Sequence, residues 1–191
     1  ESSKHGAEYV SWYLPWDSQV SRYDLPVNPY EERAADNARW FGQIEAVARG
    51  DVPLPLSDIP SGEYAPRIVR AMVTGDRDLI HANLPNRGGL IAELPEWAVV
   101  EVPATVDGRR ILPHPVPALP PQCAAVNVRY LQVCDLAVRA VVEGDRDRVH
   151  QAALLDPNTS ASLDPDQIAS MVEELLDAHE AAGRLPESLR R

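Results

Sequence analysis

The sequence has little positive charge and no long hydrophobic run, and these shortages exclude two classes of protein. Lysine and arginine total 18 against 29 aspartates and glutamates, so the formal net charge is -11. Binding to nucleic acid needs clustered basic side chains, so we expect no nucleic-acid partner. No apolar run approaches the ~20 residues that cross a bilayer, so we expect no membrane partner. The polar opening residues do not resemble a secretory signal, and we expect a cytoplasmic protein.

Cysteine is also scarce, because Cys123 and Cys134 are the only two. They lie about three turns apart in a predicted helix, roughly 16 Å, which is too far for a disulfide within that helix. We interpret them as buried apolar thiols of a reducing compartment. Without histidines or carboxylates at suitable spacing, they do not indicate a metal site.

A stretch rich in glycine and valine organises the middle of the chain, NLPNRGGLIAELPEWAVVEVP at residues 83–103. Gly88 and Gly89 suit a turn that begins at Asn86, because glycine tolerates positive φ. The valines after Ala98 are typical of a half-buried strand, and residues 79–84 can form another. The pattern predicts an antiparallel hairpin or meander, in which Asn86 could simply close a turn.

Helical periodicity dominates the remainder. Apolar residues at helical spacing and terminal glycines predict helices near residues 28–50, 64–74, 121–143, 146–155 and 164–183. Asp164, Pro165 and Gln167 form the signature of a capped helix start. Three predicted apolar stripes are Ala34, Ala38, Phe41, Ile44 and Val47; Ala124, Val128, Leu131, Cys134, Val138 and Val142; and an inward-facing Ile168, Met171, Leu175 and Ala178. We therefore predict one α+β domain over residues 1–191, mainly helical with a small antiparallel sheet.

Three stretches resemble glycoside hydrolase family 4. ESSKHGAEYVSWYLPW at the start is similar to the E-S-S-E-H-x-A-E-Y-x-P-W segment of its α-galactosidase branch. The central NLPNRGGLIAELPEWAVVEVP resembles its N-x-P-N-x-G-x-I run and following strand. AVVEGDRDRVHQAALLDPNTS resembles a glycine-aspartate turn and a helix that ends in L-x-D-P. Lys4 departs from the glutamate that is usual in the first motif.

The resemblance implies the carboxyl-terminal part of a longer glycosidase. It implies a substrate-binding domain similar to that of lactate and malate dehydrogenases, an α-glycoside substrate and a tendency to form homo-oligomers. Its cofactors would be NAD and Mn²⁺, held mainly by an amino-terminal NAD-binding domain, since this sequence has no G-x-G-x-x-G in a strand-turn-helix context. We expect the fragment to be inactive by itself.

The reaction implied by the resemblance departs from the usual pair of carboxylates. NAD would take hydride from sugar C3, a base would remove the C2 proton, and the leaving group would depart by elimination, with the metal polarising the C3 oxygen. Glu1 lies where the resemblance indicates this base. His5 would contact the sugar or metal-bound water, and Asn86 would bind substrate. From residue type alone, Glu1 and His5 are better explained as solvated polar groups near a chain end than as site residues.

Two other functions are compatible with the sequence. One is the substrate domain of a 2-hydroxy-acid dehydrogenase, which needs a carboxylate-binding arginine and a His–Asp pair that we do not find as a motif. The other is a non-catalytic oligomerisation or interaction module. Turnover of α-galactosides or α-glucosides by the completed enzyme would separate the glycosidase from both.

Overall fold

The computed structural model describes residue 6 and residues 9–25, 27, 30–55 and 62–190 of the chain. Helices dominate this part, and a three-stranded sheet lies in the middle of it. The fold class is therefore the predicted one, α+β with a small antiparallel sheet. In chain order the elements are α1 (Asp17–Tyr23), α2 (Tyr30–Arg49), α3 (Ala65–Thr74), β1 (Asp78–Pro85), β2 (Val99–Val106), β3 (Ile111–Pro113), α4 (Pro121–Glu143), α5 (Asp147–Leu155), α6 (Thr159–Ser162), α7 (Pro165–Ala181) and a 3₁₀ helix (Glu187–Leu189).

The sheet has the strand order β1-β2-β3, with both neighbouring pairs antiparallel. Ile80 lies opposite Ala104 and Leu84 opposite Val100. Every second residue of both strands therefore points to the same face of the sheet. That face carries the buried Val102. This order is the predicted antiparallel meander. Residues 86–98 form a longer connection of turns, which begins as predicted with Gly88 and Gly89 at φ of 75° and 69°.

Two hydrophobic clusters lie on the buried face of the sheet. At one end, Ala71 of α3 packs on Ile80, Ala104 and Val106. At the other end, the connection 86–98 contributes to a cluster that α4 covers. This cluster contains Leu90, Ile91, Leu94, Ala98, Val100 and Val102, with Leu84, Val116, Leu119, Val128 and Leu131 packed against it.

An arginine-aspartate pair ties α3 to the edge strand β1. Arg67 bonds both carboxylate oxygens of Asp78 and donates to the Leu79 carbonyl at 2.8 Å. Arg70 approaches the same carboxylate at 3.4 Å. The hydrogen bonds from Arg67 are the main cause that lowers the pKa of Asp78 to about 2. This carboxylate therefore remains ionised, and keeps its bonds to α3, at pH values below the ordinary pKa of aspartate.

The carboxyl-terminal part of the chain forms a third hydrophobic cluster, around α7. Ile168, Val172 and Leu176 are buried with Leu185 and Leu189. The predicted cap of α7 is confirmed, since Asp164 accepts from the Gln167 amide while the Gln167 side chain accepts from the Asp164 amide. The capping residues therefore predict the start of α7 correctly.

Arg146, which precedes α5, links α7 to the 3₁₀ helix. It lies within 4.0 Å of carboxylates of Glu173, Asp177 and Glu180. It also donates to the Leu189 carbonyl at 2.8 Å. The final segment is thus held from both α5 and α4, because Ser188 donates to the Val141 carbonyl at 2.6 Å.

Several predictions of burial are wrong. Cys123 and Cys134 are both free, exposed thiols rather than buried ones. Val138 and Val142, farther along the predicted stripe of α4, are 62% and 77% exposed. On α7 the predicted Ile168 is buried and Met171 packs against its cluster, but Leu175 is 51% exposed and Ala178 is exposed. Val172 and Leu176 are buried instead of these two residues. The predicted stripe on α2 exists, but α2 has no buried residue.

None of the helices within the described ranges is both long enough and apolar enough to cross a membrane.

Candidate functional site

Two of the three motif stretches meet at one pocket. The first supplies a short wall from the segment 9–12, and the third supplies Pro157, in the turn between α5 and α6. Helix α4 forms the opposite wall. The lining residues are Tyr9, Val10, Ser11, Trp12, Val126, Arg129 and Pro157. Residues separated by more than 140 positions in the sequence thus share one surface.

The pocket is small and open on one side. Its volume is about 70 Å³, room for a few water molecules or one substituent of a ligand. Its walls combine an aromatic surface, from Tyr9 and Trp12, with the guanidinium of Arg129. Aromatic faces can stack on apolar faces of a ligand, and a guanidinium donates to oxygen atoms. The arrangement is suited to stacking against one face of a ligand, and Arg129 is the one charged group among the lining residues.

Arg129 holds the pocket together. Its Nε donates to the Leu155 carbonyl at 2.8 Å and its Nη2 donates to Ser160 Oγ at 2.6 Å. The carboxylate of Asp156 in turn accepts from the Thr159 amide and hydroxyl, both at 2.8 Å. These bonds fix the turn that carries Pro157 against α4. The D-P-N-T-S sequence at residues 156–160 therefore forms a capped turn, and Arg129 of α4 holds this turn in place by hydrogen bonds.

An aromatic contact joins the first motif to Tyr130, the residue of α4 that follows Arg129. The rings of Tyr9 and Tyr130 lie 4.7 Å apart at an interplanar angle of 67°. Burial is the main cause that raises the pKa of Tyr130 to about 12, and interactions with Cys134 and Tyr9 add to it. The motif segment thus packs on α4 through a tyrosine whose neutral form is favoured.

We expect one tyrosine of this protein to ionise abnormally late, and Tyr130→Phe to abolish that late step. Because the folded-state pKa is raised, the contribution of Tyr130 to stability is present below the ordinary tyrosine pKa of ~10 and is lost as pH rises toward 12. Absorbance at the tyrosinate band, followed during alkaline titration, measures this. Tyr23→Phe, on the exposed α1, is the matched control. A late step that survives Tyr130→Phe would contradict the assignment.

The structure gives Asn86 the structural role that the sequence left open. Asn86 is fully buried. Its Nδ2 donates to the carbonyls of Ile91, Leu94 and Pro95 at 3.0, 2.9 and 3.2 Å, and its Oδ1 accepts from the Ile91 amide at 2.9 Å. All polar atoms of this side chain are bonded inside the connection 86–98. Substrate binding by Asn86 stays a prediction, and a direct contact would require this connection to open.

Glu1 and His5, the predicted base and sugar contact, lie outside the described residues, as do Lys4 and Glu8. Arg129 and Tyr130 were not predicted as site residues. The only sequence signal for them is an Arg-Tyr pair on a helix whose other positions are largely apolar, and their partners are distant in the chain.

The described residues do not by themselves fit a manganese site. In this part of the chain no three side chains among histidine, cysteine, aspartate and glutamate are grouped as metal ligands. Divalent cations such as Mn²⁺ need several such oxygen or nitrogen ligands. Residues elsewhere would have to supply them, and no reaction step is assigned to a metal in this part of the chain.

Comparison with known proteins identifies the family. Residues 7–159 match the family described as the family 4 glycosyl hydrolase C-terminal domain. The chain is 34% identical to an α-galactosidase of Bacillus subtilis over 182 residues, which is 94% of this chain and 41% of that protein. It is 31% identical to an α-galactosidase of Rhizobium meliloti, covering 93% of this chain and 38% of that protein.

Solved structures show the same fold. A putative glucosidase, LplD from Bacillus subtilis, superposes with a TM-score of 0.75 at 23% identity, over 90% of this chain and 38% of that one. A 6-phospho-α-glucosidase from gut microorganisms, in complex with NAD and Mn²⁺, gives 0.66 at 19% identity over 96% and 40%. The chain thus spans about two-fifths of the length of these relatives. It belongs to the family of glycosyl hydrolase family 4 C-terminal domains.

Proposed function

We propose that this chain is the carboxyl-terminal, substrate-binding part of an α-galactosidase that depends on NAD and a divalent metal. The observation that carries the proposal is the pocket in which the first motif meets the D-P-N-T-S turn. The pocket is lined by residues of two stretches that resemble this family, together with Val126 and Arg129 of α4. The identity with two α-galactosidases along more than nine-tenths of the chain supports galactose as the sugar.

In this proposal the chain provides one wall of a sugar site. Glu1, eight positions before Tyr9, removes the C2 proton after C3 has been oxidised, and His5 contacts the sugar. Tyr9 and Trp12 form one side of the site and shield it from water. Arg129 holds the opposite side in place through its bond to the Leu155 carbonyl. A positioned carboxylate that takes a proton in the transition state contributes about 10²- to 10⁴-fold to the rate.

The second wall, with NAD and Mn²⁺, would come from an NAD-binding domain that pairs with this chain. NAD would supply the hydride acceptor, and the metal would polarise the sugar oxygen. Two 6-phospho-glucosidase neighbours were solved with NAD and Mn²⁺ or manganese, which supports the same cofactors here. Family membership favours this function over a dehydrogenase substrate domain.

The test joins this chain to the NAD-binding portion of an α-galactosidase relative, with NAD, Mn²⁺ and a reductant. We expect turnover of nitrophenyl α-galactoside in preference to the α-glucoside. Glu1→Gln should lower kcat about 10²-fold or more and abolish exchange of the sugar C2 proton with solvent deuterium. Glu96→Gln, in the exposed part of the connection 86–98, is the control. An assembled enzyme that binds NAD yet cleaves no α-glycoside would refute the proposal.

A further inference from the structure

Trp12 is an exposed aromatic side chain at the edge of the pocket. It is one of the lining residues, yet it is 60% exposed. Tyr9, on the same wall, is less exposed and already packs against the Tyr130 ring. Trp12 therefore presents the more exposed aromatic face beside the pocket, and such a face can stack on the apolar face of a ligand.

Neighbouring rings hold Trp12 in a fixed orientation. Its ring meets that of Tyr13 edge-on, with centroids 6.5 Å apart and an interplanar angle of 70°. Tyr13 meets Tyr23 of α1 in the same way, at 5.6 Å and 87°. The guanidinium of Arg22 lies 5.5 Å from the centroid of the Tyr23 ring. These are favourable aromatic and cation–π geometries, so Trp12 is exposed but ordered before a ligand arrives. A preordered contact surface loses little conformational entropy on binding.

The pocket is too small to enclose a hexose. Its volume is about 70 Å³, whereas sites that surround a whole ligand measure about 300 Å³ or more. One substituent of a sugar can therefore enter, and the sugar ring lies over the rim, of which Trp12 forms part. Arg129, the one charged lining residue, already donates to the Leu155 carbonyl and to Ser160. Contact with the sugar ring therefore falls chiefly to the aromatic side of the pocket.

Galactose and glucose differ in the face that they can offer to an aromatic ring. The two sugars are epimers at C4. In galactose the C4 hydroxyl is axial, so the C–H bonds at C3, C4 and C5 lie on one face and form a continuous apolar patch. In glucose the C4 hydroxyl is equatorial, and its C4–H bond points to the opposite face. The positively polarised hydrogens of the galactose patch are attracted to the negative face of an indole ring.

We propose that Trp12 stacks on the C3–C4–C5 face of the galactosyl ring and is a specificity-determining residue that favours α-galactosides over α-glucosides. The assignment rests on the proposed function, since it takes the α-galactoside as substrate. It goes beyond that function because it attributes the choice of sugar to one side chain.

Kinetics of the enzyme assembled for the proposed function test the role of Trp12. Trp12→Ala should lower kcat/KM for nitrophenyl α-galactoside about 10²-fold, since one apolar contact in a binding site discriminates by about 10- to 200-fold. The kcat/KM for nitrophenyl α-glucoside should change less than about threefold. Both substrates carry the same nitrophenyl group, so loss of a contact with the leaving group would affect them equally. The preference for the galactoside should therefore nearly disappear.

Trp97→Ala is the matched control, because Trp97 is 53% exposed and is not a lining residue of the pocket. It should leave both kcat/KM values unchanged. Trp12→Phe keeps a smaller aromatic face and should retain part of the preference, and circular dichroism verifies that each variant is folded. An equal loss on both substrates would indicate a structural role only and would overturn the assignment. Unchanged selectivity in Trp12→Ala would overturn it as well.

Sugar binding separates the role of Trp12 from the proposed function. An assembled enzyme without glycosidase activity would refute the proposed function, but binding would still decide the stacking role. Methyl α-galactoside should shift the tryptophan emission of the assembled enzyme and bind about tenfold or more tightly than methyl α-glucoside. Trp12→Phe should abolish this shift, whereas Trp97→Phe should preserve it. An absent shift, or a shift that survives in Trp12→Phe, would overturn the stacking role.

Discussion

Asn86→Ala is expected to destabilise the protein by roughly 3–5 kcal/mol, although it removes only one small side chain. The substitution leaves the Ile91 amide and the Leu94 carbonyl without a partner, whereas the carbonyls of Ile91 and Pro95 keep the bonds that they accept from the Leu94 and Ala98 amides. Burial keeps water from replacing that partner. Each buried polar group left unpaired costs about 1–3 kcal/mol, and partial relaxation limits the sum.

Chemical denaturation followed by circular dichroism measures this effect, and Asn83→Ala provides the control. Asn83 lies three residues earlier, on β1, and is exposed, so its replacement should change the free energy of unfolding by less than about 0.5 kcal/mol. Asn86→Asp isolates the donor function, because a carboxylate can still accept from the Ile91 amide but repels the three carbonyls. An unfolding midpoint that does not move in Asn86→Ala would contradict the structural role and favour direct substrate binding.

The sheet and the helix ends were predictable because their causes are local. Three local signals define these elements, and each acts on residues within a few positions of it. They are the valines of β2, the paired glycines after Asn86, and the capping residues Asp164 and Gln167 of α7. Such signals do not depend on which element packs nearby. They define the elements and their order, and therefore the fold class.

The direction in which a helix faces was less predictable. On α7, spacing of three and four residues permits either the Leu175 and Ala178 side or the Val172 and Leu176 side to be buried. Docking of Leu185 and Leu189 selects the second, and that information lies outside the helix. On α2 the apolar stripe is present, but its partner is not in the described part of the chain. Periodicity reports an apolar face without identifying its neighbour.

The candidate site was predicted only as a set of motifs. Arg129 donates to groups 26 and 31 positions away, and Tyr130 contacts Tyr9 across more than a hundred residues. No local pattern encodes such pairs. The motifs indicated which segments belong to the site, and the tertiary structure was needed to bring Tyr9 and Pro157 together.

Gly144→Ala is the second substitution for which we expect a large loss, about 3 kcal/mol. Gly144 ends α4 with φ of +70°, a conformation that costs a residue with a Cβ about 1–2 kcal/mol. An added Cβ would also lie 2.9 Å from the Ser188 carbonyl oxygen. To relieve this clash, the 3₁₀ helix must move, which strains the bond from Ser188 to Val141 and withdraws Leu189 from the α7 cluster.

The matched control for this substitution is Gly75→Ala. Gly75 ends α3 with a similar φ of +79°, but a Cβ there would meet nothing within 4 Å. The two variants therefore share the backbone cost, and only Gly144→Ala adds the clash. We expect Gly144→Ala to lower the free energy of unfolding by the larger amount and to expose residues 185–190 to hydrogen exchange, while Gly75→Ala leaves that segment protected. An equal loss of unfolding free energy in both variants would show that residues 185–190 move aside at little cost. Their contacts with α4 would then contribute little to the stability of the α7 cluster.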